Sequence, residues 1–157
     1  MNAKTQTIVP IIAAFAPLHR GLSRFAEPLA RAAVGLLLMP HGAQKLFGWF
    51  GGYGLEGTAG FFADNLGLEP GIVWAGLVGG VEFFGGLFLA LGFLTRPAAL
   101  AITVLMAVAV FRVHLGNGFF WTDGGYEYPL MWGILALSFV LRGGGATSID
   151  GRIGREF

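Results

Sequence analysis

The stretch that decides the fold runs from Gly71 to Leu94 and reads GIVWAGLVGGVEFFGGLFLALGFL. Its one ionisable side chain is Glu82. Because the hydrocarbon core of a bilayer is about 30 Å thick, a helix needs about 20 predominantly apolar residues to cross it. This stretch is therefore long enough to span a membrane, and Glu82 is the residue that its apolar character does not explain.

The whole chain shares this apolar character. Charged residues make up 12% of its 157 residues, about half of the roughly 25% that is typical of soluble proteins. Hydrophobic residues make up 55%, and the mean hydropathy is +0.69. Too few charges remain to coat a soluble globule of this size. The composition therefore argues against a cytosolic enzyme and against a disordered chain, and it predicts one integral membrane domain.

Two further classes are excluded by charge and by cysteine content. A net charge of +1 provides no basic surface of the kind that nucleic-acid binding requires. The absence of cysteine excludes disulfides, thiolate metal sites, iron–sulfur clusters and a cysteine nucleophile.

Three other stretches can span a bilayer if a few polar residues are admitted. With the first stretch, the predicted spans are about 31–50, 71–94, 97–115 and 127–142. Pro70, Pro97 and Pro129 each stand where a helix can begin, since proline is tolerated in a first helical turn. The expected fold class is all-α, an integral membrane four-helix bundle.

Basic residues predict the orientation, because short cytoplasmic loops are rich in Lys and Arg. With the N-terminus inside, eight of the ten basic residues lie on the cytoplasmic side: Lys4, Arg20, Arg24, Arg31, Arg96, Arg142, Arg152 and Arg155. Lys45 and Arg112 fall on the other side. We therefore expect N-in/C-in topology, with outer loops rich in glycine and aromatic residues.

The same placement predicts three parts of the chain. Residues 1–24 are expected to be an interfacial or disordered segment. Residues 25–142 form the four-span domain, and residues 143–157 are a cytoplasmic tail.

Two ionisable residues fall near the middle of the predicted membrane. At about 1.5 Å per helical residue, His41 lies roughly 15 Å from Arg31, and Glu82 lies roughly 18 Å from Pro70. Lys45 is one turn further out than His41. A charge at the centre of a spanning helix costs on the order of 2.5–3.5 kcal/mol, so such a residue is retained when it pairs, lines a wet cavity or binds a ligand.

These residues define a candidate ligand-binding or proton-linked site. Its members are His41, Lys45, Glu82, His114 and Glu127. A purely structural pair of Glu82 with His41 or Lys45 is the main alternative, and Lys45 can also snorkel to the outer surface. Arg112 is interpreted as an interfacial residue.

Several ligands suit this set to different degrees. A quinone-like amphiphile can bond its carbonyl or hydroxyl groups to the polar residues and place its ring against neighbouring aromatic side chains. A non-haem metal is less favoured, because the Glu-x-x-His spacing of bundle di-iron sites is absent. Haem is less favoured still, because His41 and His114 lie at different depths. A proton or small-solute path is the remaining option.

An ordered set of short motifs runs through about residues 26–151. The first span contains Arg31-x-x-x-Gly35 and His41-Gly42-x-x-Lys45-Leu46-Phe47. The second contains Gly79-x-x-Glu82-x-x-Gly85-Gly86-Leu87-Phe88-Leu89-x-Leu91-Gly92, followed by Thr95-Arg96. The set ends with His114, Asn117-Gly118-Phe119-Phe120, Glu127 and Gly143-x-Gly145-x-x-Ser148-Ile149-Asp150. In this order the motifs resemble those of the DoxX-like family of four-span membrane proteins.

This resemblance implies a multi-pass protein of the cytoplasmic (inner) membrane of a prokaryote. Members of the family are associated with quinone-linked oxidoreduction, as subunits of a terminal quinol oxidase, of a thiosulfate:quinone oxidoreductase and of complexes that handle thiol or oxidative stress. The expected function is a subunit or anchor of such a complex, with an outward-facing polar pocket in the bundle and a quinone as the cofactor. A membrane or peripheral redox protein is the expected partner, and a homo-oligomer is a further option. The residues leave open whether the chain is itself catalytic. The alternative is a small-solute or proton transporter, or a non-enzymatic scaffold or assembly protein.

Overall fold

A computed structural model describes residues 11–157, and no strand occurs among them. The described residues form six α-helices joined by short turns. The helices are α1 (Ala16–Phe47), α2 (Gly54–Leu66), α3 (Gly71–Leu91), α4 (Thr95–Asn117), α5 (Glu127–Arg142) and α6 (Ile149–Ile153). The all-α prediction is confirmed for this part of the chain.

Within residues 11–157, the length and composition of α3 and α4 are sufficient for a membrane span. Pro70 immediately precedes α3, and Pro97 lies in the first turn of α4, as the proline positions predict. Helix α3 ends at Leu91, three residues before the predicted boundary, because Gly92 takes a left-handed conformation with φ of 69°. Glycine adopts this conformation without the steric cost that a side chain would add.

Helix α1 extends well beyond the predicted first span. It begins at Ala16 and continues to Phe47, so residues 16–24 belong to the same helix as the expected span. Residues 11–15 precede the helix and include a short 3-10 turn at Ala13–Phe15, and residues 1–10 of the predicted N-terminal segment lie outside the described residues. The 32 residues of α1 correspond to about 48 Å, which exceeds the hydrocarbon thickness of about 30 Å.

Helix α2 lies in the region that glycine content led us to expect as an outer loop. Thr58 and Phe62 are buried on one face of α2, which packs along α3. These two residues are one helical turn apart, so a single face of α2 supplies both contacts. The loop prediction is therefore wrong for residues 54–66, where helical spacing outweighed the low helix propensity of three glycines.

Helices α1 and α3 approach closely through glycine, because small residues at helical spacing let two helices come near each other. Gly42 of α1 lies against the backbone of Gly79 and Phe83, and Gly35 lies against Gly86. A second pair of glycines in α3 at the same spacing, Gly76 and Gly80, has no neighbouring atom within 4 Å of an added Cβ. Only one of the two small-residue faces is therefore a packing face.

Replacing Gly42 with alanine should destabilise the protein by about 1–3 kcal/mol, the usual cost of overpacking. The added Cβ would lie 2.5 Å from the Phe83 nitrogen and 2.6 Å from the Gly79 carbonyl oxygen. Gly76→Ala is the matched control and should be neutral or slightly stabilising, because it adds helix propensity in open space. Detergent-induced unfolding measures both, and equal losses would contradict the close approach.

The apolar core lies where α1, α3, α4 and α5 meet. Leu38, Leu89 and Ile102 are almost completely buried there. Helices α4 and α5 pack along each other, and α1 packs along α3.

The C-terminal tail is fastened to the bundle by buried polar contacts, which we call the tail clasp. The Asp150 carboxylate accepts hydrogen bonds from the Leu94 nitrogen (2.9 Å), the Thr95 nitrogen (2.8 Å) and Thr95 Oγ1 (2.7 Å). The Asp150 nitrogen donates in turn to the Gly92 carbonyl at 2.9 Å. Asp150 therefore satisfies amide donors at the start of α4 that the helix cannot satisfy itself.

Arginine side chains extend the tail clasp. The buried Arg31 guanidinium donates to the Gly144 carbonyl and lies 3.9 Å from Glu27. Arg142 pairs with Glu27 at 3.3 Å, and Arg96 pairs with Glu156 at 3.1 Å. Residues 143–157 are thus held at the same end of the bundle as the start of α4.

Candidate functional site

The centre of the candidate site is an ion pair between α1 and α3. Lys45 Nζ lies 2.7 Å from Glu82 Oε2 and 3.0 Å from Glu82 Oε1. The Glu82 side chain is 8% exposed, whereas that of Lys45 is 29% exposed. Both carboxylate oxygens of Glu82 are therefore engaged by one ammonium group in a largely desolvated position.

Glycine packing positions this pair. Gly42 is one turn before Lys45 on α1, and Gly79 is one turn before Glu82 on α3; these glycines bring the two helices close together. The Lys45 carbonyl also accepts a hydrogen bond from Thr58 Oγ1 of α2 at 3.4 Å. The pair is thus supported by three helices.

Two π-helical turns lie beside the site. Glu82 belongs to the turn Val81–Gly85 of α3, and Arg112 and His114 belong to the turn Ala109–His114 of α4. Such wide turns within α-helices occur frequently at functional sites, because the extra residue redirects side chains. The sequence pattern did not predict either turn.

A groove of about 910 Å³ lies between α2, α3 and α4, and Lys45 of α1 also lines it. Its lining is mostly apolar. The polar side chains of the lining are Lys45, Asn65, Glu82, Arg112 and His114. The groove extends along α4 from Ala101 to His114, which corresponds to about 20 Å of helix.

The charges of the groove do not cancel. Glu82 neutralises Lys45, and Arg112 then leaves a formal charge of +1 when His114 is neutral. Among residues 11–157, Arg112 makes no side-chain hydrogen bond or ion pair, and it is exposed. The groove can therefore accept a ligand that is apolar over most of its length and carries electron-rich oxygens at a polar end.

His114 presents a defined ring nitrogen. Its Nδ1 lies 2.7 Å from the Gly124 carbonyl oxygen. Because a carbonyl only accepts, Nδ1 carries the proton and Nε2 is left as an acceptor in the neutral ring. Asn117 Nδ2 donates to the same carbonyl at 3.2 Å, so the loop fixes the orientation of the imidazole.

The structure brings together three of the five predicted site residues. Lys45, Glu82 and His114 line the groove, whereas His41 and Glu127 are absent from its lining. His41 is exposed, because Gly42 and not His41 occupies the position of α1 that faces α3. Glu127 instead accepts a hydrogen bond from the Trp121 nitrogen at 3.2 Å, which closes the loop before α5.

Two parts of the site were not predicted from the sequence. Phe61, Phe62 and Leu66 of α2 form one wall, and the pattern of residues at helical spacing in α2 was the signal for it. Arg112 was interpreted as interfacial, because residues two apart on a regular α-helix do not share a face with each other. The π-helical turn of α4 breaks that regularity, and Arg112 and His114 both line the groove.

Metal binding is not suggested by the described residues. Among residues 11–157 no three His, Asp or Glu side chains lie close enough together to hold a metal ion. The nearest partner of the Glu82 carboxylate is an ammonium group, which competes with a cation for the same oxygens.

Comparison with known proteins identifies related sequences. The model of the DoxX family matches residues 28–115. An uncharacterized protein of Haemophilus influenzae is 39% identical over 106 residues, which cover 62% of this chain and 79% of that protein. A second uncharacterized protein of the same organism is 35% identical over 71 residues, and the match spans 47% of its length. No solved structure matches the chain.

Proposed function

The chain belongs to the DoxX family of membrane proteins, and from that premise we propose that it binds a quinone-like amphiphile in the groove between α2, α3 and α4. The single observation that carries the proposal is the combination of an apolar groove with an ion pair in its lining. Small-molecule sites are typically concave and mostly apolar, with a few placed polar groups and volumes of about 300–1,000 Å³. The groove, at about 910 Å³, fits that description.

The polar residues assign positions to the parts of such a ligand. A carbonyl or hydroxyl oxygen would accept from Lys45 or Arg112, and a hydroxyl could donate to His114 Nε2. The ring and tail would lie along the apolar wall that includes Phe62, Trp74 and Val104. The lining side chains bind and orient the ligand and can exchange protons with it.

We further propose that the protein crosses the cytoplasmic membrane of a prokaryote four times, with both termini inside. Helices α3 and α4 meet the length and composition of spans, and α1 and α5 pack along them. The tail clasp holds the tail beside the start of α4, where Arg96 lies, so the tail and Arg96 would be on the same side of the membrane. This side carries most of the basic residues of the chain.

In this proposal the protein is a membrane subunit or anchor of a quinone-linked oxidoreductase complex. Electrons would reach the bound quinone from a membrane or peripheral redox protein. The chain supplies the binding site, and its partner supplies the donor. Transport of a small solute or proton is the alternative, and flux through vesicles containing this chain alone would favour it.

Filling the groove should remove the ligand. Ala101 lines the groove, and its neighbour Leu100 is 51% exposed on the outside of α4. We expect Ala101→Trp to lower the quinone that co-purifies in mild detergent by about tenfold, the effect of losing about 1.4 kcal/mol of binding. Leu100→Trp should retain it. Extraction followed by chromatography measures the quinone, and equal retention by both variants would contradict the proposal.

The polar end can be tested separately. Glu82→Gln keeps the shape of the side chain but removes the charge that holds Lys45, so quinone retention should fall while Glu69→Gln, at an exposed position, leaves it unchanged. The quinone-dependent oxidation activity of membranes that contain the protein provides a second readout. If Glu82→Gln changes neither retention nor activity, the ion pair has no role in binding.

A further inference from the structure

The first half of α1 carries an exposed apolar stripe that no other described residue covers. Leu18, Leu22, Phe25 and Leu29 repeat at spacings of four, three and four, and each is between 51% and 70% exposed. The buried residues of α1 begin only at Arg31. Residues 16–30 therefore form an amphipathic helix whose apolar side is unpartnered within residues 11–157.

The opposite side of this segment is net cationic, because its one carboxylate, that of Glu27, is paired with Arg142 and Arg31 outside the segment. Arg20 and Arg24 are exposed, one turn apart, and the Arg24 guanidinium lies 4.7 Å from the centre of the Phe25 ring. Residues two positions apart, such as Arg20 and Leu22, point in directions about 200° apart on a helix. Arginine stems can lie along apolar surface while their charged ends reach an anionic headgroup.

We propose that residues 16–30 lie in the headgroup region of an anionic lipid leaflet, with the apolar stripe against the acyl chains and Arg20 and Arg24 bonded to lipid phosphates. A helix with one apolar side and a basic opposite side binds membrane surfaces in this way. The inference rests on membership of a membrane-protein family and does not depend on the ligand of the groove.

The length of α1 supports this placement. A helix of about 48 Å cannot be contained in a hydrocarbon core of about 30 Å when it crosses upright. The excess of about 18 Å corresponds to about twelve residues. Pro28, which lies inside the helix, is where the backbone can bend, because proline removes one hydrogen bond of the helix.

The stripe is also continuous with the outer surface of the bundle. Leu36 follows Leu29 by two turns and is 54% exposed. Leu36 belongs to the part of α1 that packs on α3, and it faces away from the core. The same apolar side would therefore contact lipid along the whole helix.

A second copy of the chain fits the stripe less well. In a coiled coil, the positions that flank the apolar seam carry charged residues that set the pairing. Here those positions are His19, Gly21, Ala26 and Pro28. Gly21 and Pro28 weaken a paired helix, and no flanking charge of either sign is present to select a partner.

Single-cysteine labelling can test the proposal in the full chain, which contains no natural cysteine. Leu22→Cys and Arg20→Cys carry an environment-sensitive dye in vesicles of phosphatidylcholine with and without phosphatidylglycerol. We expect the label at position 22 to be shielded from an aqueous quencher and the label at position 20 to be accessible. Both leaflets carry the anionic lipid, so the result does not depend on the direction of insertion.

The role of the arginines is tested on the labelled Leu22→Cys protein. Each basic residue near an anionic surface contributes a factor of about five, so Arg20→Gln/Arg24→Gln should lower the ratio of shielded to accessible label by about 25-fold in the anionic vesicles. Arg152→Gln/Arg155→Gln removes the same charge from exposed positions of the tail and should have no effect.

Two results would overturn the proposal. If the aqueous quencher reaches the label at position 22 fully both with and without the anionic lipid, this segment stays in water. A nitroxide at position 22 whose spin–spin broadening disappears on dilution with unlabelled protein would assign the stripe to a second copy. The unfolding midpoint of each labelled protein in detergent checks that the bundle with its Lys45–Glu82 ion pair remains folded.

Discussion

Replacing Lys45 with methionine should lower the free energy of unfolding by about 3–5 kcal/mol, because it leaves a buried carboxylate without its partner. Both oxygens of Glu82 accept from Lys45 Nζ, at 2.7 and 3.0 Å. The Glu82 side chain is 8% exposed, so little water reaches its carboxylate to replace the lost ammonium group. Unfolding in a graded mixture of mild and denaturing detergent measures the loss.

The double variant Lys45→Met/Glu82→Leu should recover most of this stability. Replacing a buried ion pair by apolar residues of similar volume is often neutral or stabilising, whereas removing one partner is costly. The double variant should therefore lie within about 1 kcal/mol of the natural protein. It should nevertheless fail to retain quinone, which would separate the role of the pair in binding from its role in folding.

Arg112→Met is the matched control for the loss of a cation. Arg112 lines the same groove but is exposed and makes no ion pair among residues 11–157. Its replacement should change stability by no more than about 0.5 kcal/mol, the usual range for surface substitutions. If Lys45→Met and Arg112→Met have equal effects, the ion pair does not stabilise the fold.

The features that could be predicted from the sequence are those that depend on residues close together in the chain. An apolar stretch with one charge predicted α3, and prolines predicted where α3 and α4 begin. The helical spacing of Gly79, Glu82 and Gly86 puts them on one face of α3, because spacing alone decides which side chains of a helix point the same way. Lys45 was one of two predicted partners of Glu82, and His41 was the other. Depth and helical spacing do not decide which of two neighbouring side chains of α1 contacts a residue of α3.

Features set by long-range contacts were not predictable in this way. Helix α2 depends on its packing against α3, and a glycine-rich segment resembles a loop until that partner is known. The π-helical turns depend on how α3 and α4 fit their neighbours. The tail clasp joins Arg31 to Gly144, which are 113 positions apart in the sequence, and no local pattern relates them.

Replacing Asp150, the central residue of the tail clasp, with alanine should lower the free energy of unfolding by about 3 kcal/mol. Three donors lose their acceptor, namely the amides of Leu94 and Thr95 and the Thr95 hydroxyl. A buried donor left unsatisfied costs about 1–3 kcal/mol, and water entering a released tail offsets part of the sum. Asp64→Ala, at an exposed position, should be within about 0.5 kcal/mol of the natural protein.

Amide hydrogen exchange can distinguish release of the tail from general destabilisation. In Asp150→Ala we expect faster exchange at Leu94, Thr95 and residues 148–153, while the amides of α3 remain protected. Faster exchange throughout α3 would contradict a local clasp. The exchange rates of Asp150→Asn should lie between those of the natural protein and those of Asp150→Ala, because its side-chain amide oxygen still accepts a hydrogen bond.

The clasp also predicts how stability depends on pH. Burial raises the pKa of Asp150, but the hydrogen bonds from Thr95 and Leu94 and the charge of Arg31 lower it by more, so the pKa lies below its ordinary value. A carboxyl whose pKa is lower in the folded state stabilises the protein above its unfolded pKa of about 3.9, and this contribution is lost as the pH falls through the folded pKa. The stability difference between the natural protein and Asp150→Asn should therefore be constant above about pH 5 and shrink in acid. A difference that grows on acidification would show that the carboxylate is not the stabilising form.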